Sequence, residues 1–299
     1  MSSIRHSLKK FVPSSLHPLL GAVRRSIVAN PLRTRLQKSS LGQTPDIPHR
    51  HRELFSKIDS KIDPRDGMYN GDARNYFLAA LSCVDCIDTV LEAIGREDLD
   101  EILDLPSGHG RELRALVVRF PNASFTACDI QPGGVDFCAK RFGAKAVLST
   151  ADLGRLKFDR SFDLIWSGSL ITHLDKESTT KLLASFYAHL KPGGIAIFTT
   201  HGDFVDGRLR SGETDYELGP EGAASLVSQY AAAEYGYRDY PRGLGYFDFH
   251  PDKSGYGVSI MSPRVVREIA AAAGEYDEVY FQPRGWADHQ DVYALRRNL

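Results

Sequence analysis

The chain has 299 residues, a formal net charge of −1 and a hydrophobic content of 42%. This length and composition are typical of one large soluble α/β domain with appendages or of two small domains. The near-neutral net charge argues against a protein that binds nucleic acid over most of its surface. No apolar run reaches the roughly 18 residues that a membrane-spanning helix needs. Four cysteines are too few for a disulfide framework, which favours a reducing, cytoplasmic location.

The charge is distributed unevenly along the chain. Residues 1–52 contain ten Lys or Arg and one acid, Asp46, which gives +9 there and −10 in the remainder. Apolar residues at helical spacing accompany these bases: Leu16, Leu20, Val23 and Ile27. Residues 1–50 form a basic extension with three open interpretations: a tail or helix packed on the domain, a contact with an anionic membrane surface, or an organelle transit peptide.

Entry helices are expected over residues 51–95. Residues 76–94 show a helical apolar rhythm, and Gly95 follows them directly. Cys83 and Cys86 form a C-x-x-C within this helix, but no second Cys or His pair follows at zinc-site spacing. The sequence therefore predicts two reduced helix thiols and no required metal.

Strands and helices alternate over residues 96–299. Strands are predicted at 101–105, 124–128, 145–148, 162–167 and 194–200, with helices at 110–119, 134–142 and 176–190. A last helix between Ser262 and Gly274 precedes a hairpin of strands 276–282 and 291–296. This alternation predicts a mostly parallel sheet with helices on both faces.

The first of these strands leads into the sequence ILDLPSGHGR, residues 102–111. An acid ends the strand, a tight turn of small residues follows, and Asp129 lies nineteen residues after Gly110, at the end of the second strand. A Rossmann-type sheet binds a nucleoside in this way, because the turn exposes backbone N–H groups and the second acid reaches a ribose. A dinucleotide fingerprint needs a third glycine where this chain has Leu113.

The turn resembles motif I of the class I S-adenosylmethionine-dependent methyltransferases, with Pro106 in place of the first glycine. Further segments resemble the family in the right order: Asp129–Ile130, Ala151–Asp152–Leu153, residues 162–168 and LKPGG at 190–194. The resemblance covers about residues 68–299. It implies a Rossmann-like α/β fold with a seven-stranded, mostly parallel sheet whose last strand is antiparallel.

The resemblance also implies the cofactor, S-adenosylmethionine, and the residues that would hold it. Asp129 would bind the ribose hydroxyls, Ile130 would pack on the adenine, and Asp152 would read the adenine amino group. The whole implied set is Asp104, Pro106, Ser107, Gly108, Gly110, Asp129, Ile130, Asp152, Leu153 and Ser167.

A segment rich in Gly, Tyr and Asp, about residues 203–260, has no place in the minimal core. It follows the fifth strand, so it leaves the sheet at the carboxyl edge, where ligands of open α/β sheets bind. We interpret it as a cap insertion that shapes the acceptor site, with Tyr246 as a substrate contact. The alternative is a structural decoration away from the chemistry.

Methyl transfer from a sulfonium is an in-line displacement that depends on alignment, and an oxygen acceptor also needs a base. His201, directly after the fifth strand, is our first candidate for that base, and His173 is the second. An ordinary structural role stays open for both, and more so for His173. Trp286 and His289, in the loop of the closing hairpin, are candidate substrate contacts, although an exposed hairpin would look the same.

The sequence says less about the methyl acceptor than about the cofactor. The fourth strand is followed by SGSL rather than by an N-P-P-Y-like tetrad, and the core is acidic, so a nucleic-acid acceptor is not expected. We expect methylation of a small molecule or of a glycan or lipid-linked acceptor, at oxygen. Two alternatives stay open: a non-catalytic partner subunit with this fold, and a nicotinamide-dependent oxidoreductase.

Overall fold

The computed structural model of the protein describes residues 25–241 and 255–298. The chain divides into two units, residues 1–77 and 78–299, and the division falls within one helix. In these described ranges no helix is long and apolar enough to cross a bilayer. Leu16, Leu20, Val23 and Tyr246 lie outside the described residues, and the three-part division at residues 50 and 95 stays a prediction.

The first unit is helical. It contains α1 (Pro31–Leu41), α2 (Arg52–Lys57) and the beginning of α3 (Ala73–Ile94). Pro31 occupies the first turn of α1, and the Asn30 side chain accepts hydrogen bonds from the backbone N–H groups that this turn leaves free. Buried aliphatic and aromatic side chains form its interior, among them Ile47, Phe55, Ile58, Ile62, Tyr76 and Phe77.

The second unit is built on a seven-stranded sheet. Its strands are β1 (Glu101–Asp104), β2 (Ser124–Asp129), β3 (Lys145–Leu148), β4 (Phe162–Ser167), β5 (Leu190–Thr200), β8 (Tyr276–Trp286) and β9 (Gln290–Arg297). The spatial order is β3-β2-β1-β4-β5-β9-β8, and β9 runs antiparallel to both of its neighbours. This topology confirms the predicted Rossmann-like sheet with an antiparallel last strand.

Helices follow the strands as the alternation predicted. They are α4 (Leu113–Arg119), α5 (Pro132–Phe142), α6 (Lys176–His189), α7 (Asp203–Arg210), α8 (Gly219–Ala233) and α9 (Pro263–Ala273). Apolar side chains of α6 and α9 meet those of the central strands in one buried cluster. Because parallel strands point the same way, the carboxyl ends of β1 to β5 share one edge of the sheet, and the residues that follow them lie at that edge.

Two strands are longer than the sequence predicted. The LKPGG segment, predicted as a turn, is part of β5, and it forms a bulge where residues 191–194 have no partner on β4. Gly193 makes this bulge possible because its φ is +75°. Likewise β8 continues to Trp286, which was predicted to lie in the hairpin loop, because the pairing resumes after an irregularity beyond Gln282.

The insertion after β5 has its own apolar core. It contains α7, α8 and an antiparallel pair, β6 (Tyr235–Asp239) and β7 (Gly257–Met261). The backbone N–H of Met261 donates to the His201 carbonyl at 2.9 Å, and the Ser259 hydroxyl donates to the Ile171 carbonyl at 2.8 Å. Strand β7 is thereby fixed against residues that follow β4 and β5, at the carboxyl edge of the sheet.

Candidate active site

The turn after β1 has a backbone that only glycine adopts readily. Gly108 and Gly110 have φ of +49° and +74°. A Cβ at Gly110 would lie 2.5 Å from the Phe142 ring, and a Cβ at Gly134 would lie 2.3 Å from the Gly108 carbonyl oxygen. The turn is therefore packed closely on α5, with small residues on both sides of the contact.

Asp129 ties this turn to the end of β2. One carboxylate oxygen accepts the Gly108 N–H at 2.8 Å, and the other accepts the Gln131 N–H at 2.8 Å. Burial raises the pKa of Asp129, whereas these two hydrogen bonds act in the opposite direction. Each oxygen keeps a second lone pair, so the carboxylate can still accept hydrogen bonds from ligand hydroxyls.

Asp104, at the end of β1, is buried without a partner. It is 1% exposed, and neither carboxylate oxygen has a hydrogen-bond partner among the described residues. Burial, and then the charges of Glu112 and Asp129, raise its pKa well above the ordinary value. An unpaired buried carboxylate is costly unless a cation or a donor approaches it.

Two hydroxyls add to this unsatisfied polar surface. The side-chain oxygens of Ser107, in the turn, and Ser167, at the end of β4, are buried without partners in the described part of the chain. A ligand carrying an ammonium and a sulfonium, such as S-adenosylmethionine, fits the charge and the hydrogen-bonding capacity of Asp104, Ser107 and Ser167. The two phosphates of a dinucleotide would bring negative charge toward Asp104, which disfavours the nicotinamide alternative.

The remaining implied cofactor residues lie along the same edge. Ile130 is partly exposed beside Asp129, and the bond from Leu105 to Pro106 is cis. Asp152 accepts the Gly154 N–H at 3.2 Å and pairs with Arg155, while Leu153 is buried. Since β3, β2, β1 and β4 are neighbours in the sheet, the fold brings all ten implied cofactor residues to one edge.

A polar network that the sequence did not indicate joins the ends of β4, β5 and β9. The Ser169 N–H donates to the Thr199 hydroxyl at 2.8 Å, and that hydroxyl donates to the Gln290 amide oxygen at 2.5 Å. The Gln290 amide nitrogen then donates to the Ser169 hydroxyl at 3.0 Å. Ser169 adopts a φ of +59°, which is a strained conformation for a residue other than glycine. The closed ring of hydrogen bonds holds Ser169 in this conformation, two residues after Ser167.

His201 is buried at the carboxyl end of β5. Its Nδ1 lies 3.2 Å from the Ser259 carbonyl oxygen. A carbonyl only accepts, so Nδ1 carries the proton and Nε2 keeps a lone pair. Burial, followed by the neighbouring His173 and His289, holds the pKa of His201 well below 6.5, so the ring is neutral at pH 7.

His289 is the middle member of a chain of hydrogen bonds. An Nη of Arg208 lies 3.3 Å from its Nδ1, and the Tyr216 hydroxyl lies 3.0 Å from its Nε2. Arginine only donates, so Nδ1 accepts and Nε2–H donates to the Tyr216 oxygen. The Tyr216 O–H proton is thereby directed away from His289, and the Tyr216 ring centre lies 5.3 Å from that of His201.

Tyr216 and Arg208 were not identified from the sequence. Tyr216 has a φ of +49°, which is unusual for a residue with a large side chain, and it lies in the segment that joins α7 to α8. Arg208 also pairs with Glu213 at 2.9 Å. Neither residue belongs to a motif, and only the folding of the insertion brings them to the hairpin that carries His289.

His173 is engaged with the insertion. Its Nδ1 donates to the Gly257 carbonyl at 2.9 Å, and its ring stacks on Tyr256 with centres 4.8 Å apart. Burial lowers its pKa. These contacts position the start of β7, and they make His173 a structural neighbour of His201, while its catalytic role stays a prediction.

Trp286 is packed inside the second unit. It is 4% exposed, its indole nitrogen donates to the Ala79 carbonyl at 3.1 Å, and its ring meets Trp166 edge to face. The Arg111 guanidinium lies 5.3 Å from its ring centre. A substrate contact by Trp286 stays a prediction, since its described contacts are all within the protein. Tyr246 lies outside the described residues.

Comparison with known proteins agrees with this geometry. Residues 102–194, which carry the turn, the acids and the first four strands, match the Methyltransf_25 family, described as a methyltransferase domain. Residues 102–194 therefore carry a methyltransferase domain. A crystal structure of a S-adenosylmethionine-dependent methyltransferase from Clostridium acetobutylicum aligns with a TM-score of 0.50 at 16% identity, covering 74% of this chain and 92% of that one, and it shows the shared fold.

Two curated proteins that are similar to part of this chain are malonyl-[acyl-carrier protein] O-methyltransferases. The protein from Priestia megaterium is 31% identical over 37% of this chain and 40% of its own length. The one from Acetivibrio thermocellus is 29% identical over 47% of this chain and 50% of its own length. The matched part thus spans half or less of the length of each relative.

Proposed function

We propose that this methyltransferase transfers the methyl group of S-adenosylmethionine to an oxygen atom of a small-molecule, glycan or lipid-linked acceptor. The observation that carries the proposal is the neutral His201 ring, with an available Nε2 lone pair, at the carboxyl end of β5. An oxygen acceptor that is a hydroxyl must lose a proton during transfer, and a neutral imidazole in this position is suited to accept it.

The cofactor supplies an electrophilic methyl group and a good leaving group. The residues of this chain would bind and orient it: Asp104 would face its positive charge, Asp129 would accept hydrogen bonds from its ribose hydroxyls, and the turn at Gly108 would allow close backbone approach. Orientation of this kind supplies a large part of the rate enhancement in a displacement reaction. In this scheme the second half of the site orients the acceptor.

Tyr216 and His201 together favour a hydroxyl over a carboxylate. The Tyr216 O–H can donate to the acceptor oxygen, and the His201 Nε2 can accept the acceptor's own proton. A carboxylate has no proton to give to His201, so the neutral imidazole would face a lone pair rather than a donor. The curated relatives are named for O-methylation of malonyl-[acyl-carrier protein], which supports oxygen as the acceptor atom and provides the competing substrate class.

The first test is calorimetric titration of the full chain with S-adenosylmethionine and S-adenosylhomocysteine, with NAD as the control. Binding of the first two alone would support the cofactor assignment. Tight NAD binding would contradict it, and the absence of any binding would favour a non-catalytic partner subunit.

The second test is methyl transfer from labelled S-adenosylmethionine to sugars, lipid-linked glycans and malonyl-[acyl-carrier protein]. Mild alkali separates the two acceptor classes, because it releases label from methyl esters and leaves methyl ethers intact. Alkali-stable product is expected. Label confined to an alkali-labile ester of malonyl-[acyl-carrier protein] would replace the hydroxyl assignment with a carboxylate.

A further inference from the structure

Helix α1, in the first unit, turns its apolar side outward. Leu32 and Leu36 are four residues apart, so they lie on one face, and they are 71% and 70% exposed. The opposite face carries Thr34 and Leu41, which are 0% and 6% exposed. A helix on a water-exposed surface normally places polar side chains on its exposed face. The leucine face of α1, defined by Leu32 and Leu36, is therefore an exposed apolar surface that would be more stable in contact with an apolar environment than with water.

Two arginines border this face. At 3.6 residues per turn, Arg33 and Arg35 project about 80° to either side of the leucine stripe. Both side chains are exposed. Long basic side chains in this position can extend toward phosphate groups while the leucines enter the apolar layer beneath.

The surroundings of α1 have the same character. Ile27, in the short helical turn before α1, is 60% exposed, and Met68 of the same unit is 58% exposed. Among the described residues only Leu148 adds another exposed large hydrophobic side chain outside this unit, at 56%. The charge of residues 1–52 is +9. Exposed apolar side chains and positive charge thus occur together in one part of the chain.

We propose that the leucine face of α1 docks on the surface of a membrane that contains anionic phospholipids. Charge complementarity selects this occupant: a neutral apolar partner would not need the bordering arginines, and a purely electrostatic partner would not need the leucines. Leu32 and Leu36 enter the headgroup–acyl boundary, and Arg33 and Arg35 contact lipid phosphates. The proposal does not depend on the acceptor of methyl transfer, although it would place the enzyme beside lipid-linked acceptors.

Vesicle flotation with the full chain tests this docking. Vesicles of phosphatidylcholine with phosphatidylserine should carry the protein upward, whereas pure phosphatidylcholine vesicles should carry much less. Binding should weaken as salt increases, because surface charges are screened. Leu32→Gln with Leu36→Gln, and separately Arg33→Gln with Arg35→Gln, should each weaken vesicle partitioning roughly tenfold or more.

Matched controls separate docking from general loss of charge or apolar surface. Leu148→Gln removes an exposed leucine from the second unit, and Lys140→Gln with Arg238→Gln removes two exposed positive charges there. These controls should float like the parent protein. S-adenosylhomocysteine binding, measured in parallel, should be the same in all variants, so failure of docking is distinguishable from failure of the methyltransferase assignment.

Three results would overturn the proposal. The first is absence of flotation, or flotation that does not depend on phosphatidylserine. The second is a lower melting temperature in the Leu32→Gln, Leu36→Gln variant, which would mean that the face is covered within the chain itself. The third is a concentration-dependent oligomer that this variant dissociates, which would assign the face to a second copy.

Discussion

The proposed cofactor half and the proposed acceptor half of the site lie on the same sheet edge but differ in whether their polar groups have hydrogen-bond partners. At the ends of β1 and β4, the side chains of Asp104, Ser107 and Ser167 have no partner among the described residues. At the ends of β5 and β9, His201 and His289 both have partners that fix which ring nitrogen carries the proton.

This difference teaches how each half achieves selectivity. In the proposed function the cofactor half would select its ligand by positive charge close to the buried, unpartnered Asp104 carboxyl group. The proposed acceptor half is a set of oriented donors and acceptors, and it would select an acceptor by where that acceptor carries a proton. Substitutions in the first half should change affinity, and those in the second half should change turnover.

The largest effect is expected for His201→Ala. Loss of a positioned base should reduce turnover by about 10²- to 10⁴-fold, with S-adenosylhomocysteine affinity preserved. His189→Ala, a substitution at the last residue of α6, just before the start of β5, should have little effect on either. Equal loss of turnover and cofactor affinity in His201→Ala would show that the two halves are not separable.

The pH dependence of turnover in the parent protein tests the proposed role of His201 as the base. Because the pKa of His201 lies well below 6.5, its basic form persists at mildly acidic pH. The acid limb of the turnover profile should therefore fall below pH 6.5. A limb at or above the ordinary histidine pKa would exclude His201 as the base.

Asp104→Asn should act in the opposite half. A hydrogen bond to a charged group contributes about 1.5–3 kcal/mol, so the dissociation constant for S-adenosylmethionine should rise roughly 10- to 100-fold. The melting temperature of the ligand-free protein should not fall, because Asp104 has no hydrogen-bond partner among the described residues and its burial disfavours the charged form. Asp129→Ala is the matched contrast: it should lower affinity and also stability, since Asp129 holds two backbone N–H groups.

Tyr216→Phe should have a smaller effect, a reduction of turnover of roughly tenfold, comparable to the loss of one hydrogen bond to a reacting oxygen. Cofactor affinity should stay constant. His289→Gln provides the control, because a glutamine amide can still donate to Tyr216 and should retain more activity than His289→Ala. Identical activities in the two His289 variants would argue against the proposed hydrogen-bond direction.

The smallest effect concerns stability. His173 and His201 have lowered pKa values in the folded protein, so the unfolded chain binds more protons below an ordinary histidine pKa of about 6.5. The free energy of unfolding should decrease as the pH falls through that value. Urea unfolding should show a shallower pH dependence for His173→Gln than for the parent protein.

The sequence determined the fold, and it placed the proposed cofactor residues at one sheet edge, because both depend on local rules. Strand and helix periods follow from neighbouring residues, and the turn needs glycine at 108 and 110, where φ is positive. Acidic residues at the carboxyl ends of parallel strands lie at one edge of the sheet, independently of the length and conformation of the loops. The bulge in β5 and the extension of β8 were not predicted, because each depends on pairing with a distant strand.

Only the tertiary structure decided the acceptor half and the leucine face of α1. Arg208, Tyr216 and His289 are far apart in the chain, and their hydrogen bonds exist because the insertion folds over the hairpin of β8 and β9. The protonated nitrogen of His201 is set by a carbonyl of β7. Likewise the sequence shows leucines and arginines in α1, but which side faces outward is fixed by the burial of Thr34 and Leu41. Contacts between residues distant in sequence have no local signature, and so the fold alone reveals them.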